Sequence, residues 1–225
     1  MEMVRSELDK GFFIKWHKAS GRMFPWRQEG ISAFSILVTE MLLRQTDAPS
    51  VAKLWHSFFA RYPNAATLAN ANKEELFNDL KILGLADQRS TALPLAASWI
   101  VEHHEGVVPN TKEALCAIPH AGLYVAHAVL CFAFEQPIEI VDSNILRFFS
   151  RYYDVFVRKP DIRRNPKIWE IAHISLPSVN VKQHNYGLLD FAAEICKSRN
   201  PLCSLCPLVS SCHFALNCGK ISPPN

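Results

Sequence analysis

Four cysteines near the C-terminal end constrain this chain most: Cys196, Cys203, Cys206 and Cys212, spaced C-x6-C-x2-C-x5-C. Four thiolates this close in sequence can enclose one metal centre, and the x2 pair forms a tight chelating turn. Structural zinc sites usually pair two short C-x2–4-C knuckles, and only one such knuckle occurs here. A [4Fe–4S] cluster also takes four thiolates and suits the looser outer spacings. The spacing therefore favours an iron–sulfur cluster, with zinc as the alternative.

The remaining cysteines and the composition describe an ordinary globular chain. The 225 residues are 49% hydrophobic and 20% charged, with a net charge of +3, which excludes a disordered chain. Seven cysteines, an odd number, argue against a disulfide framework. Cys116 and Cys131 have apolar neighbours and are predicted to be small core residues. No signal peptide is recognisable, because the charged segment Met1–Lys10 is not followed by an apolar stretch, so a cytoplasmic protein is expected.

The hydrophobic pattern predicts an all-α chain. Apolar residues at Phe34, Leu37, Val38, Met41 and Leu42 follow the i, i+3, i+4, i+7, i+8 spacing of a helix, and no strand alternation is evident. The uncharged run Ala114–Phe134 contains a proline and a glycine, so it predicts a buried helix–turn–helix rather than a membrane span. Further helices are predicted at Ser50–Tyr62, Lys73–Leu83, Arg89–His103, Leu123–Phe134, Ser143–Tyr153, Lys167–Ile174 and Gly187–Cys196.

Two carboxylates stand out chemically. Glu40 is the only charge between Ile31 and Leu43, so it is expected to face an interior or a cleft, where a raised pKa would suit a proton donor. A plain helix charge paired with an arginine is an equally good interpretation. Asp142 opens the helix Ser143–Tyr153, where an N-cap would keep it ionised and able to stabilise a cation or activate water. Capping alone is the commoner role at such a position.

Two further features point to phosphate binding. The segment Leu115–Val129 predicts a helix, a Pro-x-x-Gly turn and a second helix, whose N-terminal amides form an anion site. Seven basic residues between Arg147 and Lys167 oppose two acids, which attracts phosphates. Taken alone, this basic patch is better explained as a solvated, flexible surface segment.

The motifs occur in an order that resembles a known family. Ile118-Pro119-x-x-Gly122-x-Tyr124-x-Ala126 is followed by Val141-Asp142-x-Asn144-x-x-Arg147 and then by the four cysteines. This order resembles helix–hairpin–helix DNA glycosylases of the endonuclease III superfamily. The resemblance covers nearly the whole chain and includes Phe24-Pro25-Trp26-Arg27, Thr39–Thr46, Gly84-Leu85 and Asn185-x-Gly187-Leu188-x-Asp190-Phe191. Within the superfamily, the likeness is greatest to thymine/uracil–guanine mismatch glycosylases, and next to adenine glycosylases of the MutY type.

The resemblance implies a fold of two all-α parts. A six-helix barrel domain with the helix–hairpin–helix would take residues 27–136, and an iron–sulfur cluster domain would combine residues 1–26 with 137–217. Residues 218–225 would be a flexible tail. The four cysteines would hold a [4Fe–4S] cluster, which makes zinc improbable, and double-stranded DNA would bind between the domains with its target nucleotide flipped out.

The resemblance also assigns roles to single residues. Asp142 matches the catalytic aspartate, Glu40 the proton donor of adenine glycosylases, and Tyr124 the position where bifunctional members carry a nucleophilic lysine. The residues implied to contact DNA are Gln45 and Leu85, which plug and wedge the base stack, His120 and Gly122 in the hairpin, Asn144, Arg147, and the basic pair Lys197 and Arg199.

Some positions depart from the family pattern. The hairpin usually reads L-P-G-V-G followed by a basic residue, but here His120 replaces the first glycine and Leu123 the basic residue. The Gly-Leu-Gly-Tyr-Tyr run of many adenine glycosylases reads Gly84-Leu85-Ala86-Asp87-Gln88, and no further domain follows the cysteines, so the adenine reading is less favoured.

The sequence therefore predicts a monofunctional glycosylase of base excision repair that removes T or U opposite G. It would act as a monomer in the cytoplasm, with the nucleoid. The alternatives are adenine removal opposite G or oxidised G, excision of another modified base, and a DNA-binding relative that has lost catalysis.

Overall fold

A computed structural model of the chain describes residues 8–155 and 165–217. Within these ranges the backbone forms helices and loops and contains no β-strand, so the all-α prediction is confirmed. The chain divides into two compact units. Unit 1 takes Met1–Arg22 and Pro137–Asn225, and unit 2 takes Met23–Gln136.

The α-helices of the described residues follow one another in this order: α1 Phe12–Ser20, α2 Ala33–Leu42, α3 Ala48–Arg61, α4 Ala65–Ala69, α5 Lys73–Leu80, α6 Ala86–His104, α7 Lys112–Ala117, α8 Gly122–Phe132, α9 Ser143–Tyr153, α10 Pro166–Ile174, α11 Val181–Glu194 and α12 His213–Asn217. Helices α2 to α8 belong to unit 2, and the others belong to unit 1. None of the described helices is long and apolar enough to cross a membrane.

The core of unit 2 is built on α2 and α8, which pack against each other. Helix α2 begins at the N-cap Ser32, whose side chain accepts a hydrogen bond from the Ser35 amide, and from Ile36 onward every residue of the helix is buried. Helix α8 is buried from Val125 to Phe132. Two helices this apolar around their circumference are stable only inside the unit, which explains the uncharged run of the sequence.

The helix–hairpin–helix of unit 2 comprises α7, the turn Ile118–Ala121 and α8. Ile118 and Ala121 are buried and anchor the turn, and the Ala121 amide donates to the Ile118 carbonyl at 3.1 Å. His120 adopts φ 64° and Gly122 adopts φ 74°. Histidine therefore occupies the left-handed region where the family pattern has glycine, at a cost in backbone strain.

The core of unit 1 is built on close contact between α1 and α11. Gly187 makes this contact possible, since an added Cβ would lie 2.0 Å from the Phe13 carbonyl oxygen. The Phe13 ring is fully buried and meets Phe148 of α9 and Phe191 of α11 edge-on, with ring centroids 5.6 Å away in each case. A side chain at position 187 would separate the helices and open this aromatic core.

Buried polar residues of α11 fix the loops around it. Asp190 is fully buried and accepts hydrogen bonds from the Arg22 amide at 2.8 Å and from Arg22 Nε at 2.7 Å. The Asn185 side chain donates to the Ile138 carbonyl at 2.9 Å. Both contacts tie together segments of unit 1 that are far apart in sequence.

The structure corrects several sequence predictions. Helices α1, α4 and α12 were not anticipated, and α11 begins at Val181 rather than Gly187, after Asn180 turns the chain with φ 58°. The first turns of α11 carry several polar residues, so the hydrophobic pattern did not predict them to be helical. Cys131 is buried as predicted, but the prediction for Cys116 is wrong, because it lies on the exposed side of the short helix α7. The predicted tail 218–225 lies outside the described residues.

Candidate functional site

Asp142 caps helix α9, as predicted. Its backbone is extended, and its Oδ1 accepts hydrogen bonds from the amides of Asn144 at 2.8 Å and Ile145 at 2.7 Å. Oδ2 accepts a third bond, from Asn144 Nδ2 at 2.8 Å. These three bonds hold the partly buried carboxylate in one orientation at the positive end of the helix dipole.

The pKa of Asp142 differs from the sequence prediction, which inferred an ionised carboxylate from the N-cap position alone. Burial raises the pKa of Asp142 above its usual 3.8, and this effect outweighs the hydrogen bonds from Ile145 and Asn144 and the charge of Arg147, all of which lower it. A cap on the surface lacks this desolvation. The Asp142 carboxyl group thus has both a raised pKa and a fixed orientation.

A chain of hydrogen bonds connects Asp142 to the first cysteine. Asn144, which donates to Asp142, accepts from Arg147 Nη2 at 3.0 Å. Arg147 also donates through Nε to the Cys196 carbonyl and through Nη2 to the Ala192 carbonyl, each at 2.8 Å. The side chains of Asn144 and Arg147, expected at DNA, are therefore engaged inside unit 1.

Arg151 braces the same loop one turn further along α9. It donates through Nη1 to the Lys197 carbonyl at 2.7 Å and through Nη2 to the Ser198 carbonyl at 3.1 Å. Lys197 and Arg199, in contrast, are exposed. The predicted basic patch is thus divided: Arg147 and Arg151 point inward, Lys167 is exposed, and Arg158, Lys159, Arg163 and Arg164 lie outside the described residues.

All four cysteines of the motif line one cavity in unit 1. About 370 Å³ of the space among its lining atoms is unfilled, including the part open to solvent. Its walls are largely apolar and include Phe148, Phe191 and Phe214, and Arg151 Nη1 lies 3.5 Å from Cys196 Sγ. Among the described residues, no three His, Cys, Asp or Glu side chains are placed to hold a single metal ion.

Two of the thiols in this cavity, those of Cys206 and Cys212, are poor acids without a metal. Burial raises the pKa of Cys206 to about 11, and it also raises that of Cys212, with negative charge on neighbouring cysteines acting in the same direction. A metal centre reverses this, because it binds thiolates and displaces their protons. Four thiols around one apolar cavity match the donor set of a [4Fe–4S] cluster, so the residues present fit that group.

Unit 2 holds the other two candidate catalytic residues. Glu40 lies on α2 and is only 4% exposed, which confirms that it does not face bulk water. Tyr124 lies in the first turn of α8 and is partly buried.

Three loops of unit 2 carry the candidate DNA contacts, and each contains a residue in the left-handed region. Gln45 has φ 59°, Leu85 has φ 50° and His120 has φ 64°. All three side chains are exposed; Leu85, an apolar side chain, is 42% exposed. Strained, exposed residues are typical of binding loops held by a rigid scaffold.

Sequence reasoning missed two arginines beside these loops. Arg44 Nη1 donates to the His120 carbonyl at 2.6 Å, and the buried Arg89 side chain donates to the Leu42 and Arg44 carbonyls, which precede Gln45, and to the Gly84 carbonyl. No spacing in the sequence marks either residue, because all of their acceptors except the Thr46 hydroxyl are backbone carbonyls, which every residue has.

Comparison with known proteins identifies the class. Residues 38–172 match the family described as "HhH-GPD superfamily base excision DNA repair protein". The chain is 35% identical to a thymine-DNA glycosylase of Aeropyrum pernix over 96% of its length and 98% of that protein. The chain therefore belongs to the HhH-GPD superfamily.

Two further similarities bear on the activity. An adenine DNA glycosylase of Mycolicibacterium smegmatis is 31% identical, over 89% of this chain and 67% of that protein. A solved structure of a thermostable thymine-DNA glycosylase superposes with a TM-score of 0.83 at 30% identity, covering 93% of this chain and 95% of that one.

Proposed function

We propose that this protein is a monofunctional DNA glycosylase of base excision repair that removes thymine or uracil mismatched with guanine from duplex DNA. The observation that carries the proposal is the Asp142 carboxylate, held by three hydrogen bonds at the N-terminus of α9 within the segment that matches the family. The match to a thymine-DNA glycosylase along almost the whole of both chains supports thymine as a substrate. We further propose that it acts as a monomer, in the cytoplasm with the nucleoid.

The proposed chemistry is hydrolysis of the N-glycosidic bond. As the bond breaks, positive charge develops on the sugar, and the oriented Asp142 carboxylate stabilises that charge in a partly desolvated setting. Water adds to the sugar carbon, and the base leaves with a proton. Asn144 and Arg147 keep the carboxylate in place through the hydrogen-bond chain to Cys196.

Tyr124 supports a monofunctional reaction. A lysine amine can attack the sugar and form a Schiff base, which leads to strand cleavage. A phenol at this position cannot form that adduct, so the product is an intact strand with an abasic site. The tyrosine ring instead offers a stacking surface for a flipped pyrimidine.

Glu40 is the residue that we propose to contact the flipped base. A buried carboxylate at 4% exposure can bind a pyrimidine edge or position a water molecule. Thymine and uracil share that edge and differ by one methyl group, so we propose that both are accepted. Mispairing with guanine weakens the duplex and lowers the cost of flipping the base.

Cys196, Cys203, Cys206 and Cys212 would hold the [4Fe–4S] cluster. A bound cluster would take the place of the thiol protons and would link the end of α11 to the start of α12, which would contribute to folding. The loop between the first two cysteines presents Lys197 and Arg199 to solvent, and we propose that they bind DNA phosphates.

The test is single-turnover base release from duplexes with T, U or A opposite each normal base or oxidised guanine. We expect G·T and G·U to react faster than A·T and A·U, with strand breaks only after alkali and no borohydride-trapped adduct. Adenine release without G·T or G·U release would assign the chain to the adenine reaction instead. If cluster-loaded protein releases no base from any duplex of this panel, the proposed activity is refuted.

Asp142→Asn is the matched variant for this assay. Its amide keeps the cap geometry but lacks the charge, so the rate should fall by about 100-fold or more, as after loss of a key electrostatic group. Affinity for mismatched duplex should stay within about threefold, because phosphate contacts dominate it. A near-normal rate would reduce Asp142 to a helix cap.

A further inference from the structure

Arg89 connects two of the exposed loops of unit 2 from inside the protein. Its side chain is 7% exposed and lies on α6, one turn after Leu85. Nη2 donates to the carbonyls of Leu42 at 3.1 Å and Arg44 at 2.8 Å, and to the Thr46 hydroxyl. Nη1 donates to the carbonyls of Leu83, at 2.9 Å, and Gly84. One guanidinium thus bonds to both loops at once.

Thr46 completes this connection. Besides accepting from Arg89, its hydroxyl donates to the Leu83 carbonyl at 3.2 Å. The loop of Gln45 and the loop of Leu85 are therefore linked directly as well as through the arginine.

The loops held in this way are strained. Gln45 and Leu85 both have positive φ, a region that side chains with a Cβ avoid. Such conformations persist only where the surroundings enforce them. The bonds from Arg89 reach the carbonyls immediately before each of these residues, at Arg44 and Gly84, and so act where the strain lies.

A charge at this position is costly to bury. Desolvation lowers the pKa of Arg89, and the nearby charge of Arg44 lowers it further. No ion pair joins Arg89 to a carboxylate within the described residues; its partners are neutral oxygens. An arginine suits this role because its planar fork presents several donors in fixed directions, which a lysine cannot do.

We propose that Arg89 is a positioning residue that clamps the loops of Gln45 and Leu85 in a fixed relation, so that both side chains are preset for insertion into the base stack. This inference rests on the proposed function for its consequence in DNA, whereas the clamp itself is a property of the free protein.

The first test measures the clamp without DNA. The Thr46 and Gly84 amides are bonded within their turns, to the carbonyls of Leu43 and Lys81, and report loop order by hydrogen exchange. In Arg89→Lys, peptides covering residues 43–47 and 82–86 should both exchange about tenfold faster or more than in wild type. The stability control is Asn72→Ala, which removes the N-cap of α5, whose side chain accepts from the Glu74 and Glu75 amides. It should leave exchange in both loops unchanged.

The second test measures the consequence in DNA. With 2-aminopurine beside a G·T mismatch, Arg89→Lys should lose most of the fluorescence rise that reports base-stack opening. Its single-turnover rate at saturating enzyme should fall about tenfold, with the Kd for duplex within about twofold, because misplaced groups lose rate rather than phosphate contacts. Thr46→Val should give a smaller loss in the same direction.

The outcomes separate the two proposals. If Arg89→Lys matches Asn72→Ala in exchange and in fluorescence at equal loss of Tm, the arginine only stabilises the fold and the clamp is refuted. If exchange rises in only one loop, the two loops are not coupled and the clamp is refuted. If wild type opens no base and releases none, the proposed function fails, while the exchange comparison still decides the clamp.

Discussion

Acidification should destabilise unit 1 through one histidine. His184 lies on α11 and is fully buried; its Nδ1 donates to the Lys10 carbonyl at 3.2 Å, and its ring meets Phe13 edge-on. Its Nε2 is buried with no hydrogen-bond partner among the described residues. Protonation would place a charge and an unsatisfied N–H in this core. Burial accordingly lowers the pKa of His184 to about 4; the hydrogen bond to the Lys10 carbonyl opposes this effect, and the charge of Lys10, which is a smaller effect, adds to it.

The size and pH range of the effect follow from the pKa. The ordinary pKa is 6.5, and the gap to about 4 corresponds to about 3 kcal/mol at 1.4 kcal/mol per pH unit. Between these values the unfolded chain holds a proton at His184 that the folded chain lacks, so the free energy of unfolding falls as pH decreases. The penalty begins below about pH 6.5 and is complete near pH 4. From pH 7 to pH 4.5 it amounts to about 2 kcal/mol.

Two measurements check this expectation. An NMR titration of the His184 ring should show the neutral form down to about pH 5. The free energy of unfolding is measured in urea for wild type and for His184→Gln, at pH 7 and at pH 4.5. Between these pH values, wild type should lose about 2 kcal/mol more than the variant. His56→Gln, the same substitution at an exposed position of α3, is the control for the exchange of histidine for glutamine. An equal loss for wild type and His184→Gln would refute the reasoning.

Three further predictions concern packing, the cysteines and the carboxylate. Gly187→Ala should lower the free energy of unfolding by about 3 kcal/mol in urea, because the new Cβ meets the Phe13 carbonyl oxygen at 2.0 Å; unchanged stability would show that α1 can move away. Cys203→Ser should lower the iron and sulfide content and the Tm of purified protein, and zinc without sulfide in the wild type would contradict the cluster assignment. Asn144→Ala removes a hydrogen bond that lowers the pKa of Asp142, so the acid limb of the single-turnover rate profile should move to higher pH; an unmoved limb would separate Asn144 from the carboxylate.

The sequence predicted the parts of the fold that depend on local pattern. The cap at Asp142 and the bounds of α9 follow from an aspartate placed before an amphipathic segment, and the structure agrees with both. The burial of Glu40 follows from an apolar helix around it. The first turns of α11 could not be found in this way, because their stability comes from packing against α1 rather than from a hydrophobic stripe of their own.

The motif in α11 shows a different limit of sequence reasoning. Asn185, Gly187, Asp190 and Phe191 contributed to the resemblance without any assigned role. In the structure each has a structural partner: the Ile138 carbonyl, the Phe13 backbone, the Arg22 amide and side chain, and the aromatic core. None of these partners is near in sequence, so no local pattern could have indicated them.

The arginines of α9 show how far the type of residue alone can mislead. A cluster of basic residues suggests phosphate binding, but residues at i, i+3 and i+4 share one face of a helix. Asn144, Arg147 and Arg151 follow one another at intervals of three and four residues and so share one face, and in the structure the two arginines reach the backbone of residues 192–198. Their charge is already directed at carbonyl oxygens. Our proposal for phosphate binding therefore concerns the exposed Lys197 and Arg199, in the loop whose carbonyls the arginines of α9 bind.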